Sequence, residues 1–284
     1  MNGTLTISID LELAWGNWDN LAPHHIHSIE TNERMISTRL LEIFDRYEMP
    51  VTWAFVAALL DYDSAHQMPG DAALWYAPDV IEAITSARVT HDLGSHGGRH
   101  RYFNELNNQD AIEDLQFAKY IHDKNDLAMR SFVYPRNKVA RTDLLAAQGV
   151  QVYRGEDRAW HQSIRNRQVH LGRAANLIDK MLPITPQFVR PEVDGALLNV
   201  AGSTLFLGRD GVRRFVHPSV MYSKLEKGLR RAIATGGVFH LWFHPSNFWN
   251  NTELQFAIFE QFATHAADLV ERGELVIKPM AAFA

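Results

Sequence analysis

The chain has 284 residues, 46% of them hydrophobic and 21% charged, with a formal charge of −5. This balance offers no basic surface for nucleic acid or an anionic membrane, and the lack of cysteine removes disulfide and thiol chemistry and restricts any metal site to His, Asp and Glu. No apolar run of about 18 residues suggests a membrane span, and MNGTLTISIDLELAWG has no basic-then-apolar leader, so a cytoplasmic location is expected.

Residues 4–10 (TLTISID) read as a strand, and His24, His25 and His27 crowd into an expected loop. Residues 31–47 place Met35, Ile36, Leu40, Leu41, Ile43 and Phe44 at helical spacing. After Pro50, VTWAFVA has the β-branched and aromatic content of a strand. A helix over 78–87 and a strand over 89–95 follow, then a helix over 108–125, a strand over 130–134, a helix over 140–148 and a strand over 150–153. Residues 155–215 carry scattered turn signals and form an elaborated stretch. A helix near 220–234 runs into Gly236-Gly237, where a helix can end. VFHLWF (238–243) reads as a buried strand, 252–272 as a helix and ELVIKP as a last strand.

Strands alternating with helices imply an α/β fold with a mainly parallel sheet and right-handed crossovers. About seven such units favour a distorted (β/α) barrel, with an open doubly wound sheet as the alternative. No linker divides the chain, so residues 1–284 are taken as one domain. Such folds bind ligands at the carboxyl ends of their strands, which makes the residues there the ones to inspect.

The first strand ends in Asp10-Leu11-Glu12, and residues two apart on a strand share a face. Two carboxylates side by side repel unless a cation or a proton intervenes, or unless both simply reach solvent. The third strand ends in His96-Gly97-Gly98-Arg99-His100, an i, i+4 histidine pair that a tight turn can direct at one ion. Two histidines and a carboxylate form a recurrent open metal site. Tyr134-Pro135-Arg136-Asn137 closes the fourth strand, where Arg136 either clamps a carboxylate or lies on the surface. His244 closes HLWFH, as a general acid or as a buried, hydrogen-bonded ring.

Taken in order, these segments resemble the NodB-homology polysaccharide deacetylases (carbohydrate esterase family four) over roughly residues 5–245. SIDLE matches the family's acidic motif, SHGGRH its paired-histidine motif, YPRN its Arg-Pro motif in altered order, and LWFH its last histidine motif. Glu156-Asp157-Arg158-Ala159-Trp160 is a loose match to the acidic-Trp motif that orients the last histidine. Leu11 separates the two acids that typical members carry adjacent, a departure that points to a divergent branch linked to surface-polysaccharide assembly.

The resemblance implies a hydrolase that removes an acetyl or formyl group from the nitrogen of an amino sugar. It implies one divalent metal, zinc before cobalt or nickel, on Glu12, His96 and His100. Asp10 is the implied base, held ionised by Arg136, and His244 the acid, with Asp10 and Glu12 able to exchange roles. Trp15, Tyr134 and Asn247 are candidate contacts to an N-acylated sugar or oligosaccharide. A cyclic-amide hydrolase acting on allantoin-like compounds, and an inert carbohydrate-binding relative, are the rival expectations.

Overall fold

β1 (Gly3–Leu11) alternates two kinds of residue: Leu5, Ile7, Ile9 and Leu11 on one face, Thr6, Ser8 and Asp10 on the other. All seven are buried, so both faces are covered, one by helices and the other by the hollow of a curled sheet. A computed structural model describes residues 2–157, 179 and 182–284. Among the described residues ten strands form the sheet: β1, β2 (Thr52–Phe55), β3 (Asp92–Ser95), β4 (Ser131–Val133), β5 (Val152–Arg154), β6 (Glu192–Asp194), β7 (Leu197–Asn199), β8 (Thr204–Leu205), β9 (Val238–Phe243) and β10 (Leu275–Ile277). The order is β6-β7-β5-β4-β3-β2-β1-β9-β8, and β10 pairs with the first residues of β1. Every pairing in it is parallel except β6–β7.

The helices among the described residues are α1 (Pro23–Ser28), α2 (Arg34–Arg46), α3 (Tyr62–His66), α4 (Pro78–Thr85), α5 (Asn108–Lys124), α6 (Thr142–Ala146), α7 (Pro218–Thr235) and α8 (Thr252–Glu271). α2 buries Ile36, Leu40, Leu41, Ile43 and Phe44, as its periodicity predicts, against a core that also takes Leu5, Ile7 and Ile9. α8 adds Phe256, Phe259 and Phe262 to the same core. A second cluster forms between α5 and β4, around Leu115, Phe132 and Tyr134. Inside the curl the packing residues are small: Ala54, Val133, Val152 and Val238 meet Met280. Small side chains there leave room for polar groups at the carboxyl ends of the strands.

The α/β class and the curled parallel sheet match the expectation of a (β/α) barrel. Three details differ. His24, His25 and His27 sit on α1 rather than in a loop, because Pro23 starts a helix at its first position. The helix expected over 31–47 begins at Arg34 and is preceded by a π-helical turn over Ile29–Glu33. Among the described residues of 155–215, three short strands and the turn Gly211–Phe215 appear where the sequence assigns no element. The strands are two or three residues long, too short to show a period. Arg158, Ala159 and Trp160, the end of the loose acidic-Trp match, lie outside the described residues.

Candidate active site

The inward face of β1 carries Asp10 to the carboxyl end of the sheet, and Glu12 follows just past the strand. In β3 the same face continues through Gly94 to His96. Beyond it the chain turns sharply: Gly97 has φ +81 and His100 φ +55, both left-handed. The turn is pinned by Asp114 of α5, whose carboxylate accepts the N–H groups of Gly98 at 2.7 Å and Arg99 at 3.1 Å. A Cβ on Gly98 would stand 2.6 Å from the Asp114 carbonyl oxygen, so only glycine fits.

This turn brings His96 Nε2 to 2.8 Å and His100 Nε2 to 3.1 Å from Glu12 Oε1. His96 Nδ1 lies 2.8 Å from the Val133 carbonyl oxygen, which can only accept, so that nitrogen carries a proton. In the neutral ring Nε2 therefore presents a lone pair to a carboxylate oxygen. Two lone pairs at 2.8 Å repel, and a cation between them removes the conflict. The donor set of two imidazoles and one carboxylate suits a divalent transition metal, and the carbonyl on Nδ1 is the kind of outer partner that fixes a ligating histidine. Burial holds His100 below its ordinary pKa, in the neutral form that ligates. Its Nδ1 is buried without a partner among the described residues, so its ring is oriented by packing on His96 and Tyr102.

Asp10 is 2% exposed. Burial opposes its ionisation, but Arg154, with His96 and His244, more than offsets this and keeps its pKa below the usual value. The pair is bidentate, with Nη1 to Oδ1 at 2.7 Å and Nη2 to Oδ2 at 2.6 Å. Arg154 is wholly buried at the end of β5. It also donates to Ser8 Oγ at 2.9 Å and to Asn137 Oδ1 at 2.7 Å, and its guanidinium lies 4.5 Å over the Trp242 ring. Trp242 Nε1 donates in turn to both oxygens of Asp157, at 2.9 and 3.0 Å. Burial raises Asp157 to about 6.

Beneath this layer, His240 Nδ1 donates to the Val200 carbonyl at 2.9 Å, so its Nε2, 2.9 Å from Ser8 Oγ, accepts the serine proton. The Ser8 lone pairs are thereby turned toward Arg154. His244 Nε2 stands 3.3 Å from Glu12 Oε1 and 3.6 Å from Asp10 Oδ2, and its side chain is 27% exposed. Burial works against its charge, yet Glu12 and Asp10 lift it to about 9. Burial likewise works against Glu12, and His244 and His100 hold it well below the carboxylate range. Asp10, Glu12 and His244 form a second group of donors close enough to meet one ion, but both Asp10 oxygens are already engaged by Arg154.

Asp10, Glu12, His96, His100 and His244 thus converge around one open pocket, whose volume is about 300 Å³. Four other expectations need correction. Arg136 does not reach Asp10; it lines the pocket rim and pairs with Asp19 at 2.9 Å, because the backbone after β4 turns left-handed (φ 54) and sends the side chain outward. Trp15 is 3% exposed, its Nε1 donating to the Trp75 carbonyl at 2.8 Å, and is a core residue. Tyr134 is 0% exposed, packed between Phe103 and Phe132. Asn247 accepts the His244 N–H at 2.8 Å and so positions the backbone of that histidine, without lining the pocket. Trp249, near the last motif, gives its Nε1 to buried Glu33 at 2.6 Å.

Arg154 and Asp114 are not among the residues that the sequence singles out, and Asp157 stands there only within the loose acidic-Trp segment. For Arg154 a signal existed, since it closes the fifth strand, and the rule applied to the other strand ends covers it equally. Asp157 was within reach through the loose acidic-Trp match, although the tryptophan it binds is Trp242 of β9. Asp114 had none, being one of several acids on an ordinary helix.

No family model and no curated protein matches the sequence. The fold, in contrast, is shared with solved structures. A protein described as a polysaccharide deacetylase from Mycobacterium smegmatis superposes with a TM-score of 0.67 at 14% identity, over 99% of this chain and 88% of its own. One so described from Pseudomonas aeruginosa PAO1 gives 0.64 at 13%, over 98% and 89%. The Puue allantoinase gives 0.65 at 13%, over 98% and 89%. At such identities the likeness establishes the shared fold and does not by itself assign the chemistry.

Proposed function

We propose that this chain is a metal-dependent hydrolase that removes an N-linked acetyl or formyl group from an amino sugar. One observation carries the reading: Glu12, His96 and His100 aim three donor atoms at one point beside an ionised Asp10 and a protonatable His244. The polysaccharide deacetylases with which the chain shares its fold support the substrate class. Glu12 Oε1, His96 Nε2 and His100 Nε2 would hold the ion, for which this N/O set suits zinc, with cobalt or nickel as alternatives. Such an ion, when bound, supplies Lewis acidity to an acyl carbonyl and lowers the pKa of water.

The side chains do the rest. Asp10, kept ionised by Arg154 and facing the pocket, takes a proton from the attacking water as general base. His244, which lines the same pocket, donates its Nε2 proton to the departing amine nitrogen. Asn247 fixes the backbone from which His244 projects. Arg136 takes no part in holding Asp10.

The test is to purify the protein, measure bound metal, and follow acetate or formate release from N-acylated amino sugars. Wild type should bind about one zinc per chain and His96→Ala/His100→Ala none; full metal in the double variant would sink the site. An allantoinase has the same fold, so allantoin belongs in the screen. Ring opening of allantoin with no acyl release would move the assignment to a cyclic-amide hydrolase.

A further inference from the structure

A second cavity, of about 420 Å³, opens at the amino ends of β3 and β4, the end of the sheet away from Asp10, Glu12 and the paired histidines. It is larger than the pocket at the carboxyl ends and has the size of a small-molecule site. Asp92 opens β3 and stands in the cavity wall. Its Oδ2 accepts from Ser131 Oγ at 2.7 Å, Thr52 Oγ1 at 2.8 Å and the Ala281 N–H at 3.2 Å. Its Oδ1 accepts nothing among the described residues. Burial pushes the Asp92 carboxyl above its ordinary pKa, the sign of a carboxylate short of positive charge.

Arg130, just before β4, lines the same cavity. Its Nε donates to Gln151 Oε1 at 2.8 Å, which fixes the plane of the guanidinium, while Nη1 and Nη2 donate to nothing among the described residues. Arg130 is near enough to favour the charged form of Asp92, but the two form no ion pair among the described residues. An acceptor and a fork of donors therefore stand close together, each with one side unspent.

Three physical points decide what fits. An α-amino acid carries an ammonium and a carboxylate on one carbon, so it calls for opposite protein charges that are neighbours without being partners. A guanidinium fork takes a carboxylate in two parallel hydrogen bonds, and a buried, half-satisfied carboxylate gains most from an ammonium. The rest of the wall is mainly apolar, with Leu93, Leu127 and Pro279, which suits an aliphatic side chain. Asp126, exposed at the cavity, adds negative charge, so a purely anionic ligand is the poorer fit. The His91 ring is engaged elsewhere, its Nδ1 accepting the Val51 N–H at 3.3 Å and its face packed edge-on to Phe44.

We propose that this cavity is a second ligand site, for an apolar α-amino acid whose ammonium meets Asp92 and whose carboxylate meets Arg130. The site is independent of the reaction assigned to the other pocket. Isothermal titration of the whole protein with L-leucine tests it, in EDTA so that no metal held elsewhere can bind the amino acid. L-leucinamide lacks the carboxylate and 4-methylpentanoate lacks the ammonium. Leucine should bind about tenfold more tightly than either, the scale of one charge-assisted contact. Arg130→Gln should erase the preference for leucine over leucinamide and keep the preference over 4-methylpentanoate, a pattern that general loosening of the fold would not produce. Asp92→Asn should do the converse. Because Asp92 also holds Thr52, Ser131 and Ala281, that variant can fail to fold, and exposed Arg130 then decides the case. No leucine binding at about 10 mM, equal affinity for the three compounds, or a preference over leucinamide that survives Arg130→Gln overturns the site.

Discussion

Replacing Arg154 by methionine keeps most of the side-chain volume and removes the charge. Asp10, 2% exposed, then loses both of its short contacts, and the buried carboxylate keeps only the more distant His244, at 3.6 Å, as a counter-ion. Breaking one side of such a buried pair costs about 3–5 kcal/mol. At roughly 2.1 cal/mol/K per residue, unfolding of 284 residues changes entropy by about 0.6 kcal/mol/K, so the melting temperature should fall by about 5–8 °C. The loss should depend on pH. Wild-type Asp10 has a depressed folded pKa, so its stabilisation is present above the unfolded carboxylate pKa and disappears as pH falls through the folded value. In Arg154→Met, burial raises the Asp10 pKa against only His96 and His244, so the gap to wild type should be widest at neutral pH and narrow as the pH falls into the carboxylate range. Thermal melts in EDTA, followed by circular dichroism, keep metal binding out of the comparison. Adding Asp10→Asn should recover most of the loss, because no buried charge is then orphaned. A shift below about 2 °C, or the same loss in the Asp10→Asn background, would refute the assigned partnership.

Three further outcomes follow from the same geometry. Gly98→Ala should lower stability by roughly 2 kcal/mol and weaken metal retention, measured by denaturant melts and metal analysis, because its Cβ meets the Asp114 carbonyl at 2.6 Å. His244→Asn should cut turnover by about 10²–10⁴ in acyl-release assays while bound metal stays near wild type, since an acid is lost and the Glu12–His96–His100 set is intact. Asp157, raised by burial to about 6, costs the fold stability as pH climbs from about 4 to 6 and the folded group is forced to ionise. Asp157→Asn should therefore gain about 3 kcal/mol on wild type at pH 8 and little at pH 4, as read from urea midpoints.

The legibility of this protein divides along physical lines. Alternation of apolar strands with amphipathic helices is a local property, and it carried the α/β class, the parallel sheet and the positions of β1, β3, β4 and β9. The rule that ligands gather at carboxyl ends of parallel strands then picked out Asp10, Glu12, His96, His100 and His244 from a chain with 14 histidines. Short pieces such as β6, β7 and β8 escaped because two or three residues show no periodicity.

Which residues face one another is another matter. Arg136 and Arg154 both follow strands, and from sequence either can hold Asp10. The left-handed turn at Arg136 sends it to the rim, and the curl of the sheet lays β5 across from β1, 144 residues away. Trp15 and Tyr134 stand close to their motifs along the chain, but packing directs their rings into the core, where aromatic area is most stabilising. The sequence by itself determined where the chemistry gathers, because strand periodicity assigns each residue to a face. Only the tertiary structure decided the partner of each group, because an ion pair depends on distances that sheet order and curvature set.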